Sequence, residues 1–199
     1  SMVGETGIGK TVMLRWINSI YGDPEKLMGL KDDTINTIIS RLGVFGSLPY
    51  TMDEVSNIDP MDLSNFIYRV TQGRDKGRLG QDARERKVLN SWNTLATITS
   101  NHSLVEKLGL AKADAAAEIN RIFEVFMEKT DIMTRTTATH IWRTLGGNYG
   151  GIAKVYVQYL LDHSEEHRAK LDIITAEIDR RTGASPDERF WSAIAGCAI

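Results

Sequence analysis

Apolar residues recur every three or four positions in three stretches of the first half of the chain, which is the spacing of one face of an α-helix. The first stretch follows Lys10 directly and stops at the turn sequence "GDP", so it predicts a helix over about 10–21. The second and third follow the helix-capping residues Thr34 and Asp59. The apolar residues of the three predicted helices are Val12, Met13, Trp16, Ile17 and Ile20; Ile35, Ile38, Ile39 and Leu42; and Leu63, Phe66, Ile67 and Val70.

Short runs that are apolar or rich in β-branched residues lie between the helical stretches and are typical of strands. They cover about 26–30, 48–52, 93–100 and 120–127. Strands that alternate with helices predict an α/β fold with a mostly parallel sheet. From about Thr134 the pattern is helical, with breaks at "LGGNYGG" and "TGASP". We therefore predict a core domain over 1–133 and a helical lid or appendage over 134–199.

Composition limits the class of protein without identifying a partner. The chain has 199 residues, of which 42% are hydrophobic and 25% charged, as in an ordinary globular domain. Its net charge of −2 gives no general attraction to nucleic acid, so DNA binding would need a local basic surface. The four tryptophans are expected to anchor the core. The single Cys197 excludes an internal disulfide, and no stretch is long and apolar enough for a membrane span, so we expect a cytoplasmic protein.

The sequence "GETGIGKT" matches the pattern G-x-x-x-x-G-K-[ST] at every fixed position. Glycines let successive backbone N–H groups face a phosphate, and the helix that follows favours an anion at its N-terminus. Lys10 can reach the β- and γ-phosphates, and the hydroxyl of Thr11 can bind Mg²⁺. A turn that matches by chance is the alternative, but a helix opening directly after Lys10 disfavours it. The sequence predicts binding of ATP and Mg²⁺ by Gly4, Glu5, Thr6, Gly7, Ile8, Gly9, Lys10 and Thr11.

The two ends of the chain suggest a piece of a longer protein. A phosphate-binding loop is expected to follow a buried strand, and only Ser1-Met2-Val3 precede Gly4. The other end, "RFWSAIAGCAI", is an apolar helical run without a polar tail. We therefore expect a truncated first strand and a truncated C-terminal appendage.

Two polar stretches at predicted strand ends supply the remaining groups that nucleotide hydrolysis requires. In "LPYTMDE", Asp53 is predicted to help bind Mg²⁺ and Glu54 to polarise the attacking water; a surface acidic pair is the alternative. In "TITSN", Asn101 is predicted to contact the water or the γ-phosphate, with Thr99 as the second choice. The alternative role for Asn101 is to cap the helix that follows, where Ser103 competes.

A glycine-punctuated basic loop, "GRDKGRLGQDARERK", follows the third predicted helix. In a ring of subunits, an arginine of this loop would reach the neighbour's γ-phosphate, and we select Arg74 and Arg78 for that role. The loop would alternatively contact DNA or RNA phosphates, or be an ordinary solvated segment. Arg121, at the start of the last predicted strand, is a further candidate between subunits; its alternative is a salt bridge at the strand edge.

With these motifs in place, the chain resembles P-loop ATPases of phages and integrated mobile elements, a domain-of-unknown-function family described as helicase-like. That family is akin to AAA+ and superfamily three helicase modules. The resemblance spans most of the chain in order, through "GETGIGKT", "YGDPEKL", "LPYTMDEVSN", "TQGRDKGRLGQ", "NTLATITSN", "GGNYGGIAKVYVQYL" and "RFWSAIAGCAI". It implies a three-layer P-loop NTPase fold with a C-terminal helical appendage. It also implies ATP hydrolysis by a homo-oligomeric ring, a hexamer, that moves or unwinds DNA during replication in the host cytoplasm.

Two other functions share these motifs. A viral DNA-packaging ATPase would carry the same loop and the same acidic pair. A nucleotide-gated assembly module, in which ATP sets the oligomeric state with little turnover, would carry the loop, although Glu54 argues for hydrolysis.

Overall fold

The structure is a computed structural model that describes residues 1–76, 90–183 and 189–198. Its elements, in chain order, are β1 Met2–Val3, α1 Lys10–Tyr21, β2 Met28–Gly29, α2 Ile35–Phe45, β3 Tyr50–Met52, α3 Pro60–Thr71, β4 Ala96–Ser100, α4 Leu104–Ala111, α5 Ala116–Ile119, β5 Val125–Phe126, α6 Arg135–Leu145, α7 Ala153–Asp162, α8 Ser164–Thr182 and α9 Arg189–Ala198. The predicted α/β alternation is confirmed.

The five strands form one parallel sheet in the order β2-β3-β4-β1-β5. Two strands that are distant in sequence, β3 and β1, therefore flank β4. Because all strands run in the same direction, the segments after β1, β3 and β4 leave the sheet at the same edge. That edge carries the candidate site.

Alternate residues of the strands face opposite layers of helices, as expected for a pleated strand. Thr51 of β3 accepts a hydrogen bond from Asn18 of α1 at 2.8 Å, so α1 covers one face. Tyr50 and Met52 face the other way, into an apolar core formed with α2, α3 and α4. Helices thus cover both faces of the sheet.

The helix starts predicted from capping residues are confirmed in detail. The side chains of Thr34, Asp59 and Ser103 each accept a backbone N–H from the first turn of α2, α3 and α4. Each such cap contributes about 1 kcal/mol of stability. Local sequence therefore accounts for where these helices begin.

The last predicted strand is shorter than expected. Only Val125–Phe126 pair with β1, whereas 120–127 were expected to do so. The preceding residues form the short helix α5 and a turn, in which Arg121 N donates to Glu118 O and Ile122 N to Ile119 O. These local hydrogen bonds replace the ladder that the alternating sequence suggested.

The helices after residue 134 pack differently from the sheet layers. No residue of α6, α7 or α8 is buried. Two contacts tie this part to α1: the Arg15 guanidinium lies 3.5 Å from the centroid of the Trp142 ring, and Gly150 N donates to Ser19 O at 2.8 Å. The division of the chain at residue 134 stays a prediction.

The tryptophan side chains do not all lie in the core, where all of them were expected. Trp92 is buried and donates its indole N–H to Val70 O, so it is a core anchor. Trp16 and Trp142 are 58% and 41% exposed, which corrects their assignment to the core. Cys197 is exposed. Among the described residues, no helix has the length and apolarity that crossing a membrane requires.

Candidate nucleotide site

The glycine-rich loop connects β1 to α1 and lies beside the end of β4. Gly4 N donates to Ser100 O at 3.1 Å, which anchors the loop to the sheet. Gly7 and Gly9 have φ values of 86° and 98°, in the left-handed region that favours glycine. Gly9 is the residue directly before α1, so the loop delivers its last N–H groups to the helix start. Such a helix start attracts an anion.

Lys10 is the first residue of α1 and is 6% exposed. Its ammonium donates to Gly4 O at 2.5 Å, Glu5 O at 2.8 Å and Asn101 Oδ1 at 2.9 Å. An ammonium has three donors, so all of them are engaged. The charge of Lys10 is thereby held inside the loop by three oxygen atoms.

Asp53 follows β3 and meets two hydroxyl groups. Thr11 Oγ1 donates to Asp53 Oδ2 at 2.8 Å, and Thr99 Oγ1 donates to Asp53 Oδ1 at 2.5 Å. The Thr11 hydroxyl and the Asp53 carboxylate are oxygen donors of the kind Mg²⁺ prefers, and Mg²⁺ in nucleotide sites usually uses few protein ligands beside phosphate oxygens. The donor set therefore fits Mg²⁺, although the described residues contain no cluster of three or more His, Cys, Asp or Glu side chains that would hold a metal alone.

Glu54 is held in an uncommon backbone conformation. Its φ is 58°, which makes it the one non-glycine residue with positive φ among the described residues. Such a conformation costs about 1–3 kcal/mol and persists where surrounding contacts support it. Here Glu54 N donates to Thr99 Oγ1 at 2.9 Å, and Val55 N donates to Thr99 O at 2.9 Å.

Asn101 follows β4 and contacts both Lys10, at the start of α1, and Glu54, after β3. Its Oδ1 accepts from Lys10, while its Nδ2 lies 3.4 Å from both carboxylate oxygens of Glu54. Its backbone N–H donates to Ser56 Oγ at 2.7 Å, which holds Asn101 against the segment after Glu54. Asn101 therefore does not cap α4; Ser103 does.

Two residues of this network were missed or ranked second from the sequence. Thr99 was only the alternative to Asn101, yet it contacts both Asp53 and Glu54. The signal for it was present, because Thr99 lies two residues before Asn101 in a β-branched strand and thus on the same face. Ser56 had no sequence signal.

The two candidate arginines that the structure describes, Arg74 and Arg121, do not meet the site of their own chain. Arg74 is exposed and follows α3, a helix of 12 residues, about 18 Å long, that starts on the side of the site. Arg121 precedes β5, at the opposite edge of the sheet, where it donates to Ala117 O and lies 5.4 Å from the Tyr68 ring centroid. Arg78 lies outside the described residues.

An apolar cavity of about 360 Å³ lies between α1 and α6, beside the glycine-rich loop. Met133 is the lining residue next to the loop, because a Cβ added to Gly9 would lie 2.7 Å from Met133 Cγ. The cavity is lined by Val12, Met13, Trp16, Met133, His140, Ile141, Thr144 and Leu145. Its walls are almost wholly apolar, which suits a flat ring better than a phosphate.

Comparisons with known proteins agree with this architecture. Residues 1–90, which include the glycine-rich loop and the Asp53-Glu54 pair, match the model of a family described as "Domain of unknown function (DUF927)". A search of curated proteins gave no significant match. Among solved structures, the fold is similar to one described as "SCCmec type IV Cch - active helicase", with a TM-score of 0.73 and 19% sequence identity. The similarity covers 98% of this chain and 36% of that one, so this chain spans about a third of the length of the helicase structure that it resembles.

Proposed function

We propose that this chain is the ATP-hydrolysing core of a helicase-like, ring-forming protein of a phage or mobile element. The observation that carries the proposal is the hydrogen-bonded network of Lys10, Thr11, Asp53, Glu54 and Asn101 at one edge of a parallel sheet. The likeness in fold to a structure described as an active helicase supports the same reading. DNA movement or unwinding is proposed for the whole protein.

ATP would bind with its phosphates in the glycine-rich loop and its base in the apolar cavity between α1 and α6. The backbone N–H groups of the loop and the start of α1 would face the phosphates. Lys10 would exchange one or more of its three oxygen partners for phosphate oxygens, which are stronger acceptors because they are charged. The rest of the loop is anchored at Gly4, so little rearrangement is required.

Thr11 and Asp53 would hold Mg²⁺, which when bound neutralises charge on the β- and γ-phosphates. Thr11 would contribute its hydroxyl and Asp53 a carboxylate oxygen, directly or through water. Their oxygens already lie 2.8 Å apart, so the pair is arranged before any ligand arrives.

Glu54 would orient the attacking water and accept its proton. Asn101 is arranged to contact Glu54 and Lys10 at once, so it would sense whether a γ-phosphate has drawn Lys10 away. A carboxylate can orient water in this way only if its own position is constrained. The contacts of Glu54 with Thr99 and Asn101 supply that constraint.

The arginine roles remain proposals that fit an assembly of several subunits. Arg74 and Arg121 lie away from the site of their own chain, as required of side chains that would complete a neighbour's site. Arg78 and the basic loop are proposed to act at the same interface or on DNA phosphates.

Steady-state ATP hydrolysis, measured across protein concentration with and without single-stranded DNA, tests the proposed function. Turnover should rise with concentration and with DNA. Glu54→Gln should keep ATP binding and lose turnover by about 100-fold or more, since general base catalysis contributes roughly 10²–10⁴-fold. Lys10→Ala should abolish binding. Glu165→Gln, at an exposed glutamate of α8, serves as the matched control and should leave both unchanged.

Two results would redirect the proposal. Normal hydrolysis by Glu54→Gln would show that another group orients the water. Tight ATP binding with negligible turnover in the unchanged protein would favour the nucleotide-gated assembly module, a function that the Asn101 contact with Glu54 also permits. A forked DNA substrate that stimulates turnover would separate a helicase from a packaging ATPase, which would instead associate with capsid or portal.

A further inference from the structure

We propose that Thr99 is a positioning residue that sets the geometry of both Asp53 and Glu54. The inference rests on the proposed function, because it assigns the side chain that would prepare the metal-binding and water-orienting carboxylates. Thr99 lies in β4, the strand between β1 and β3, and is fully buried. It would touch neither nucleotide nor metal.

The hydroxyl of Thr99 makes two hydrogen bonds, one as a donor and one as an acceptor. Its single proton is donated to Asp53 Oδ1 at 2.5 Å, so only a lone pair remains for the N–H of Glu54, at 2.9 Å. One oxygen atom thereby orients the carboxylate of Asp53 and fixes the backbone of Glu54. No other described side chain hydrogen-bonds to both residues.

The backbone of Thr99 adds a third contact to the same turn. Its carbonyl accepts Val55 N–H at 2.9 Å, so consecutive residues 53, 54 and 55 are all bonded to Thr99. The turn contains the positive φ of Glu54, a conformation that requires outside support. Thr99 supplies support on both sides of that residue.

The chemical nature of the side chain can be tested apart from its shape. Valine has nearly the same shape as threonine and the same preference for strands, but it has no hydroxyl. Serine keeps the hydroxyl and loses a methyl group. If the hydroxyl positions the carboxylates, serine should substitute for threonine better than valine does.

The experiment compares Thr99→Val, Thr99→Ser and the control Thr97→Val in the full chain. Thr97 lies two residues earlier in β4, on the same face and about 7 Å from Thr99, so the control makes the same chemical change away from the carboxylates. The first measurement is amide hydrogen exchange of Glu54 in the nucleotide-free protein. The second is the Mg²⁺ concentration required for half-maximal binding of a non-hydrolysable ATP analogue, followed by kcat and KM for ATP.

Thr99→Val should speed exchange of the Glu54 amide and raise the required Mg²⁺ concentration by about 10–100-fold, the usual effect of removing a partner of a metal ligand. kcat should fall by a similar factor, while analogue binding without Mg²⁺ stays unchanged. Thr99→Ser should recover most of each loss, and Thr97→Val should match the unchanged protein.

Equal behaviour of Thr99→Val and Thr97→Val in exchange and in Mg²⁺ dependence would overturn the inference, while the proposed function would stand. Equal losses with Thr99→Ser and Thr99→Val would also overturn it, because packing rather than the hydroxyl would then matter. The unchanged protein separates the two proposals: if it shows no Mg²⁺-dependent nucleotide binding, the proposed function fails and the inference fails with it.

Discussion

The sheet with its helix layers and the helices α6–α8 use similar apolar residues but bury them very differently. Leu42, Leu63 and Leu104 are 0% exposed between the sheet and its helices. In α7, by contrast, Leu161 is 65% exposed and Tyr156 45%. A helical apolar pattern therefore reports that a face is suitable for burial, whereas burial itself depends on what lies opposite.

The two regions also differ in the contacts that hold them in place. The candidate site stands on three adjacent strands and is crossed by hydrogen bonds between residues more than 40 positions apart in sequence. Helix α6 and the segment that follows it contact that framework through α1, at Trp142 and Gly150. Changes in the first region should therefore disturb folding, and changes in the second should disturb only local packing.

The largest expected difference in the free energy of unfolding is between truncating a buried leucine of the first region and truncating an exposed leucine of the second. Leu42→Ala removes a fully buried side chain and should lower the free energy of unfolding by about 2–5 kcal/mol. Leu161→Ala, at an exposed position of α7, should change it by less than about 0.5 kcal/mol. Urea denaturation of both variants measures the difference. If Leu161→Ala lowered the free energy of unfolding as much as Leu42→Ala, the apolar face of α7 would be covered in solution, and the two regions would not differ in burial.

A smaller effect on stability is expected from replacing either of two glutamates that pair with a lysine, Glu118 and Glu166. Glu118 of α5 is 4% exposed and accepts hydrogen bonds from Lys112 Nζ at 2.5 Å and Ser64 Oγ at 2.7 Å. The Lys112 ammonium, with the Ser64 hydroxyl, holds the pKa of Glu118 below its usual value. Glu166 of α8, whose partner is Lys170, also has a lowered pKa, but both side chains are exposed.

The pH dependence of stability distinguishes the two glutamates. A lowered folded pKa contributes stability above the unfolded pKa, about 4.3, which is lost as pH falls through the folded value. Glu118→Gln should therefore cost about 1–2 kcal/mol at pH 7 and flatten the decline below about pH 5. Glu166→Gln should leave the curve unchanged, because solvent screens an exposed pair. Thermal denaturation from pH 3 to 7 gives both curves; identical curves for the two variants would contradict the prediction.

The smallest effect on stability is expected from changing the contact between α1 and α6, where the two regions meet. Arg15 of α1 is 3% exposed, pairs with Glu25 at 2.6 Å and lies under the Trp142 ring of α6. Trp142→Ala should lower stability by about 0.5–2 kcal/mol and make α6 more accessible to a protease, while Trp142→Phe keeps an aromatic face and should lose less. Unchanged proteolysis of Trp142→Ala would show that this contact does not hold α6 to α1.

Much of the fold, and most of the residues that the structure brings together at the candidate site, could be predicted from the sequence, while the roles of those residues stay predictions. The starts of α2, α3 and α4 were predicted because a capping side chain acts on a backbone N–H two or three residues away. The set Lys10, Thr11, Asp53, Glu54 and Asn101 was predicted as a site because polar residues after parallel strands share one edge of the sheet. The shortening of β5 was not predicted, because an alternating pattern cannot show whether the backbone forms hydrogen bonds within a local turn or with the neighbouring strand.

Residue types and their short-range spacing were enough to predict the capped helix starts and the alternation of strands with helices, because those properties depend on neighbours within a few positions. The parallel sheet was expected from that alternation by the general rule for α/β folds. The tertiary structure alone decided that the Thr99 hydroxyl contacts both the Asp53 carboxylate and the Glu54 backbone N–H, that Glu54 takes a positive φ, and that Trp142 lies over Arg15 and stays partly exposed instead of joining the core. Each of these depends on contacts between segments from about 45 to more than 120 residues apart, and the geometry of such contacts exists only once the chain has folded.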